Sequence, residues 1–223
     1  MSLVFNVFAG ITLSISNYSK SIDYSYESLK PESYGFETTL TLKDKYYLQM
    51  DVKRIAAQVQ SSSGNLNVFG YDYTHDFMYL KMGYKFSETQ SIYLSPMIYY
   101  APILFPVTVG ALTSQAAFEK TLSAGLGIGY TKNLSLEKFK FDINANFSLM
   151  KFQSGQYEQN YSYLFDVNMH PSWKVSKSMF LGVNYNVIAG QSSLVEKKTG
   201  SDYPFKTTYV LHNLFLTFSY TLH

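Results

Sequence analysis

Residues 3–15 read LVFNVFAGITLSI. Every odd position is apolar: Leu3, Phe5, Val7, Ala9, Ile11, Leu13 and Ile15. Most of the residues between them are small or polar, among them Asn6, Gly10, Thr12 and Ser14. Strict period-two alternation describes a strand with one apolar and one polar face. Soluble strands average about five or six residues, whereas a tilted strand crossing a bilayer needs roughly nine to eleven. Repeated an even number of times, this pattern makes a closed transmembrane β-barrel.

It does repeat. The second strand carries Tyr34, Phe36, Leu40 and Leu42 on its apolar face. The third carries Tyr46, Leu48, Met50 and Val52, opposed by Gln49, Asp51 and Lys53. The fourth shows Met78, Leu80, Met82, Tyr84 and Phe86, and the fifth Ile92, Leu94, Ile98 and Tyr100. Pro96 interrupts the fifth and predicts a bulge there. The sixth alternates Leu122, Ala124, Leu126, Ile128 and Tyr130 with Ser123, Gly125, Gly127 and Gly129. Four more follow, centred on Phe141–Leu149, Tyr161–Met169, Met179–Val187 and Leu214–Leu222. The connections alternate between short turns (43–45, 87–90, 132–138, 176–178) and long segments (17–33, 57–66, 153–160, 190–206). The fold class is therefore all-β: one closed antiparallel barrel of about 10 strands spanning residues 1–223, with both termini on the short-turn side. Ile22, Tyr24 and Tyr26 continue the alternation past the first strand and predict that strands extend beyond the membrane.

Composition agrees. Charged residues are 15% of the 223-residue chain, below the roughly 25% of soluble domains. The 21 tyrosines suit a membrane–water boundary. A net charge of +2 gives no basis for a nucleic-acid partner. There is no cysteine, hence neither disulfide nor thiol chemistry. No apolar run reaches the length of a transmembrane helix. Residues 3–15 lack the charged n-region of a signal peptide, which suggests a mature chain with an added initiator Met.

Alternation alone leaves open which face is outward. A soluble lipid-carrier barrel would turn the apolar face in. The polar face here is rich in Ser, Thr, Asn and Gly rather than in Lys and Glu, unlike a soluble surface. Tyr also gathers near strand ends on the apolar face, as in interfacial girdles. The lipid-facing assignment is preferred.

The C-terminal run Leu214-x-Leu216-x-Phe218-x-Tyr220-x-Leu222 resembles the assembly signal that ends bacterial outer-membrane β-barrel proteins, although it closes on Leu222-His223. That resemblance implies an outer-membrane location in a Gram-negative cell. It also implies contact with the bilayer and lipopolysaccharide, and handling by the outer-membrane assembly machinery through the last strand.

With the apolar face outward, the lumen receives Glu37, Asp51, Glu119, Asp142 and Asp166, with Lys53, Lys81, Lys85, Lys140 and His170. The signs nearly balance. They fit an ion-paired, hydrogen-bonded plug, or the lining of a narrow, porin-like transport path for small polar solutes. Gly125, Gly127 and Gly129 leave space for a bulky neighbour such as Tyr79 or Tyr93. His170-Pro171-Ser172 resembles the His-x-Ser pair of outer-membrane phospholipases and lipid A deacylases. Asp72, His75 and Asp76 lie near the rim, where omptin proteases use acidic and His–Asp pairs, but a second pair is lacking. Both enzyme readings carry far less weight than the non-enzymatic one. Four scattered histidines give no metal spacing, and no cofactor motif occurs. Residues 102–107, PILFPV, form an apolar loop in this reading. Its Ile103, Leu104 and Phe105 either meet an extracellular or membrane protein partner or fold inward. The functional expectation is thus a narrow, gated or largely plugged outer-membrane barrel. A surface-binding module acting through the extracellular loops is the alternative, and a membrane-embedded hydrolase a distant third.

Overall fold

The computed structural model describes residues 2–19, 22–26, 33–42, 45–60, 69–109, 113–153, 157–196 and 205–222. In the strand ends farthest from the short turns, including 57–60, 69–73, 101–109 and 113–120, the description is of the backbone. The expected loops at 27–32, 61–65 and 197–204, the turn residues 43 and 44, and His223 lie outside it.

The strands are β1 Ser2–Ser19, β2 Ile22–Tyr26, β3 Ser33–Leu42, β4 Tyr46–Gln60, β5 Phe69–Lys85 and β6 Gln90–Val109. They continue as β7 Thr113–Ser135, β8 Phe139–Gln153, β9 Tyr157–Lys174, β10 Met179–Glu196 and β11 Phe205–Leu222. Each pairs antiparallel with its chain neighbour, and β11 returns to β1, from Leu3↔Leu222 to Ser19↔Thr207. The two pieces β2 and β3 both pair with β1 at different heights, Ile15↔Tyr26 above and Ser2↔Thr41 below. They form one stave, so the wall has ten. Closure leaves no unpaired edge within the hydrocarbon, the condition for a sheet to exist there.

The outward residues are those the alternation predicted. Leu126, Ile128, Leu149 and Leu216 are 57%, 60%, 63% and 72% exposed. Apolar side chains bared to this extent all round a closed wall need a lipid solvent. On β5 the apolar series runs from Met78 to Phe86, below Asp76. From Asp76 to Phe86, at about 3.3 Å per residue and roughly 40° of tilt, the belt is about 25 Å tall. Its lower edge is aromatic: Tyr46 meets Tyr84 at 5.4 Å between ring centroids, and Phe139 meets Trp173 at 5.6 Å. At the upper edge Arg54 is paired outward with Asp76 at 2.6 Å, under the ring of Tyr34.

Three sequence expectations change. Pro96 causes no bulge. The β5–β6 ladder loses its rungs at Leu80 and Lys81, yet Tyr79↔Met97 and Met82↔Leu94 keep one register. Proline deletes a donor without adding a residue. A true bulge sits at Leu13, where the β1–β11 pairing shifts from Thr12↔Asn213 to Ser14↔His212. Past the bulge the register sets Ile15 opposite Leu211. Residues 102–107 are not a loop. They continue β6 and pair with β7, Ile103↔Glu119, Leu104↔Phe118 and Phe105↔Ala117. Prolines are tolerated there because β6 is an edge strand at that height.

Candidate functional site

Alternation turns every second residue inward, and the lumen they fill has three levels. The lowest is a polar vestibule of 380 Å³. Its wall includes Thr41, Lys85, Ser135 and Thr221, all at the short-turn ends of their strands, so it opens on that side. Lys140, Asp142, His170 and Ser172 also line it. Lys140 Nζ lies 2.9 Å from Asp142 Oδ2.

The second level is an ion layer that crosses the barrel. Lys53 Nζ, on β4, lies 3.2 Å from Asp51 Oδ2 and 3.6 Å from Asp166 Oδ2, on β9. Lys81 Nζ reaches Asp51 at 3.4 Å. Lys53 also donates to Asn168 Oδ1 at 3.2 Å. Asp166 Oδ1 accepts from Asn168 Nδ2 at 2.9 Å and from Asn186 Nδ2 at 2.6 Å. Asn213 Nδ2 then donates to Asn186 Oδ1 at 3.3 Å, extending the network onto β11. Glu37 stands opposite Asp51 on the neighbouring strand, and its carboxylate accepts from Asn6 Nδ2 at 2.5 Å and Gln49 Nε2 at 2.7 Å. Both ammonium groups approach the ring of Tyr79, Lys53 at 5.9 Å and Lys81 at 5.7 Å from its centroid. Charges this deep persist only when each is paired and hydrogen-bonded.

The third level, toward the extracellular side, is mostly apolar and aromatic, with buried Ser123, Ser162 and Ser192 among its members. Ile55, Leu164, Ile188 and Leu211 are 0% exposed, and Phe77 and Tyr99 are 1% exposed. Phe77 and Tyr99 stack at 4.5 Å and 11°, and His75 stacks on Tyr99 at 5.7 Å. His75 Nδ1 and Tyr99 Oη are 2.5 Å apart. A side chain pointing into an open pore would meet solvent. At this level the named inward residues, from both sides of the barrel, are buried completely or nearly so.

In the structure Glu37, Asp51, Lys53, Lys81, Lys85, Lys140, Asp142, Asp166 and His170 face the lumen. Glu119, Ile103, Leu104 and Phe105 have described backbones only. The two hydrolase constellations do not assemble. His75 points into the lumen while Asp76 points outward to Arg54, because neighbours on a strand take opposite faces. His170 Nε2 is 2.6 Å from Thr217 Oγ1, and Ser172 Oγ donates to the Lys140 carbonyl at 3.4 Å. No hydrogen bond joins His170 to Ser172 among the described residues. No group of three or more potential metal ligands occurs among them either.

The glycine stripe is a close-packing device. A Cβ at Gly129 would fall within the ring of Tyr93, and one at Gly83 within the ring of Tyr47. Each tyrosine lies directly across the ladder from its glycine. Tyr93 Oη then donates to Asn144 Oδ1 at 2.6 Å. At Gly125 the neighbours are Met97 and Met150, and at Gly127 Ser95 and Ser148. Gly129→Val should cost about 1–3 kcal/mol by displacing that ring. Urea unfolding of the refolded barrel measures the cost, and Tyr93→Ala on the same background should recover part of it.

A closed antiparallel barrel, apolar outside and polar or packed within, is the fold of outer-membrane β-barrels, and the chain has that fold. Its architecture is similar to the outer membrane protease OmpT from Escherichia coli, with a TM-score of 0.56 and 8% identity over 99% of this chain and 97% of that one. The β domain of the Bordetella autotransporter BrkA aligns at 0.49 and 8% identity, covering 99% of each chain. An outer membrane channel from Pseudomonas putida F1 aligns at 0.44 and 13% identity, over 99% of this chain and 95% of that one. No family model matches the sequence, and no curated protein matches it.

Proposed function

We propose that the chain is a non-conducting outer-membrane barrel whose working surface is its set of extracellular strands. The observation that carries this reading is the third level of the lumen, where inward side chains from β4, β5, β6, β9, β10 and β11 are fully buried. Physical expectation supports it: eight staves are just filled by side chains, and ten leave little more room. The strands also run well past the belt on the extracellular side. On β6 and β7 the ladder continues from Tyr100↔Leu122 to Val109↔Thr113. A barrel that is blocked within and extended without is suited to presenting those extensions.

The test is single-channel recording of the refolded protein in a planar bilayer. The expected result is no steady current at either polarity. A stable ion-selective current would favour the narrow-channel reading, with the vestibule and ion layer as its path. Fold likeness to a protease, at 8% identity, bears on architecture alone.

A further inference from the structure

The two rungs missing beside Pro96 fix the direction of every main-chain group on β6. Rungs Leu80–Pro96 and Lys81–Ser95 are both absent, while Pro96↔Leu126 on the other side is intact. Both missing rungs depend on one bond, from the amide of residue 96 to the carbonyl of Leu80, and proline has no N–H. Even-numbered residues of β6 therefore direct their main-chain groups toward β5. The β6–β7 register runs without a shift from Gln90↔Lys132 to Val109↔Thr113. Hence Pro102 and Pro106 also direct their nitrogens away from β7.

No described residue pairs with them there. The β5–β6 ladder ends at Asp76↔Tyr100, and the β7–β8 ladder ends at Leu122↔Gln153. Above those rungs, residues 101–109 and 113–120 form a two-stranded ribbon with both outer edges unpaired among the described residues. The edges differ. On β6, residues 102, 104, 106 and 108 face outward, and Pro102 and Pro106 remove half the donors. Proline on an exposed edge blocks strand addition. On β7 the outward set is Ser114, Ala116, Phe118 and Lys120, with no proline. This ribbon is closed on one side and open on the other.

An open row of alternating N–H and C=O groups is complemented by another extended backbone. A second copy of this chain fits poorly. Its β6 edge, the antiparallel complement, is the one the prolines close. Two β7 edges related by an axis along the membrane normal would run in the same direction and cross at roughly twice the strand tilt of about 40°. We propose that the edge of β7 at residues 113–120 accepts an extended peptide segment of a different polypeptide, added antiparallel. This deepens the reading of the extracellular strands as the working surface. Conductance tests that reading alone, and the experiment below tests the edge alone.

The probe is a synthetic peptide copying residues 101–109 with alanine at both proline positions and lysine tails for solubility. It is the sequence β7 already pairs with on its inner edge. Amide hydrogen exchange is followed on the whole refolded chain in micelles. Without peptide, Ser114, Ala116, Phe118 and Lys120 should exchange fast and Gln115, Ala117 and Glu119 slowly. With peptide, protection should rise at the even set alone, and Ala116→Pro should weaken binding by about tenfold or more. Slow exchange at the even set without peptide would mean that the chain covers its own edge, and would overturn the proposal. So would unchanged exchange with peptide, or undiminished binding by Ala116→Pro. A second variant needs no ligand. Pro102→Ala with Pro106→Ala restores the β6 donors and should drive head-to-tail oligomers that Ala116→Pro suppresses. A strictly monomeric double variant would contradict an open β7 edge.

Discussion

Replacing Phe77 and Tyr99 together with Ser should, on the non-conducting reading proposed above, make the barrel conduct. These rings stack at 4.5 Å and are almost wholly buried in the lumen. Removing both opens a continuous gap above the ion layer and lets water reach it. The ion layer then sets selectivity. Glu37, Asp51 and Asp166 outnumber Lys53 and Lys81 by one charge, so the current should favour cations. Truncating buried aromatic residues costs about 3–5 kcal/mol each. The folded state must therefore be verified by the heat-dependent gel shift of barrels before recording. Leu126→Ser with Leu149→Ser alters only the lipid face and should stay silent. A folded Phe77/Tyr99 variant without current would show that these rings are not the barrier.

The second large effect is expected at Lys53. It ties β4 to β9 across the lumen, with contacts to Asp51, Asp166 and Asn168. Lys53→Met leaves Asp166 without its cation in a water-poor interior. Breaking such a pair from one side costs about 3–5 kcal/mol, and urea unfolding in lipid vesicles should register a loss of that order. Adding Asp166→Asn removes the stranded charge, keeps acceptors for the Asn168 and Asn186 amides, and should recover much of the loss. Equal stability of Lys53→Met and the parent would mean that the tie contributes nothing.

The lipid-facing half of this architecture was legible from residues alone, because hydrocarbon admits few alternatives to apolar side chains and the strand period is rigid. Leu122 to Tyr130 could be assigned to the outside residue by residue. The upper lumen was not legible, because a packed interior selects for volume and leaves polarity free. Its mark is a run in which both parities are apolar: Phe77-Met78-Tyr79-Leu80, Met97-Ile98-Tyr99-Tyr100, Leu214-Phe215-Leu216. In each run alternate residues face lipid and the others fill the barrel, so polarity does not tell the two faces apart. The ion layer was only partly legible. Its members could be placed inward, but pairing Lys53 with Asp166 needs the closure of the wall. The bulge at Leu13 has no local signature, since neither glycine nor proline occupies it. Residues 102–107 misled for the opposite reason: two prolines usually break a strand, and here they sit on an edge.

The seam between β1 and β11 has a kinetic consequence. Leu3 pairs with Leu222, almost the greatest chain separation available. Loop-closure entropy must be met before that contact is rewarded. Until it forms, both terminal strands present bare amides and carbonyls that hydrocarbon cannot solvate. No partial set of staves has a comfortable home in the bilayer, so insertion and circularisation must be nearly one event. Assembly should be slow, cooperative and acutely sensitive to lesions in either terminal strand. A chain opened instead at the short turn between β3 and β4, with its present ends joined, would carry the same wall with a shorter route to its former seam.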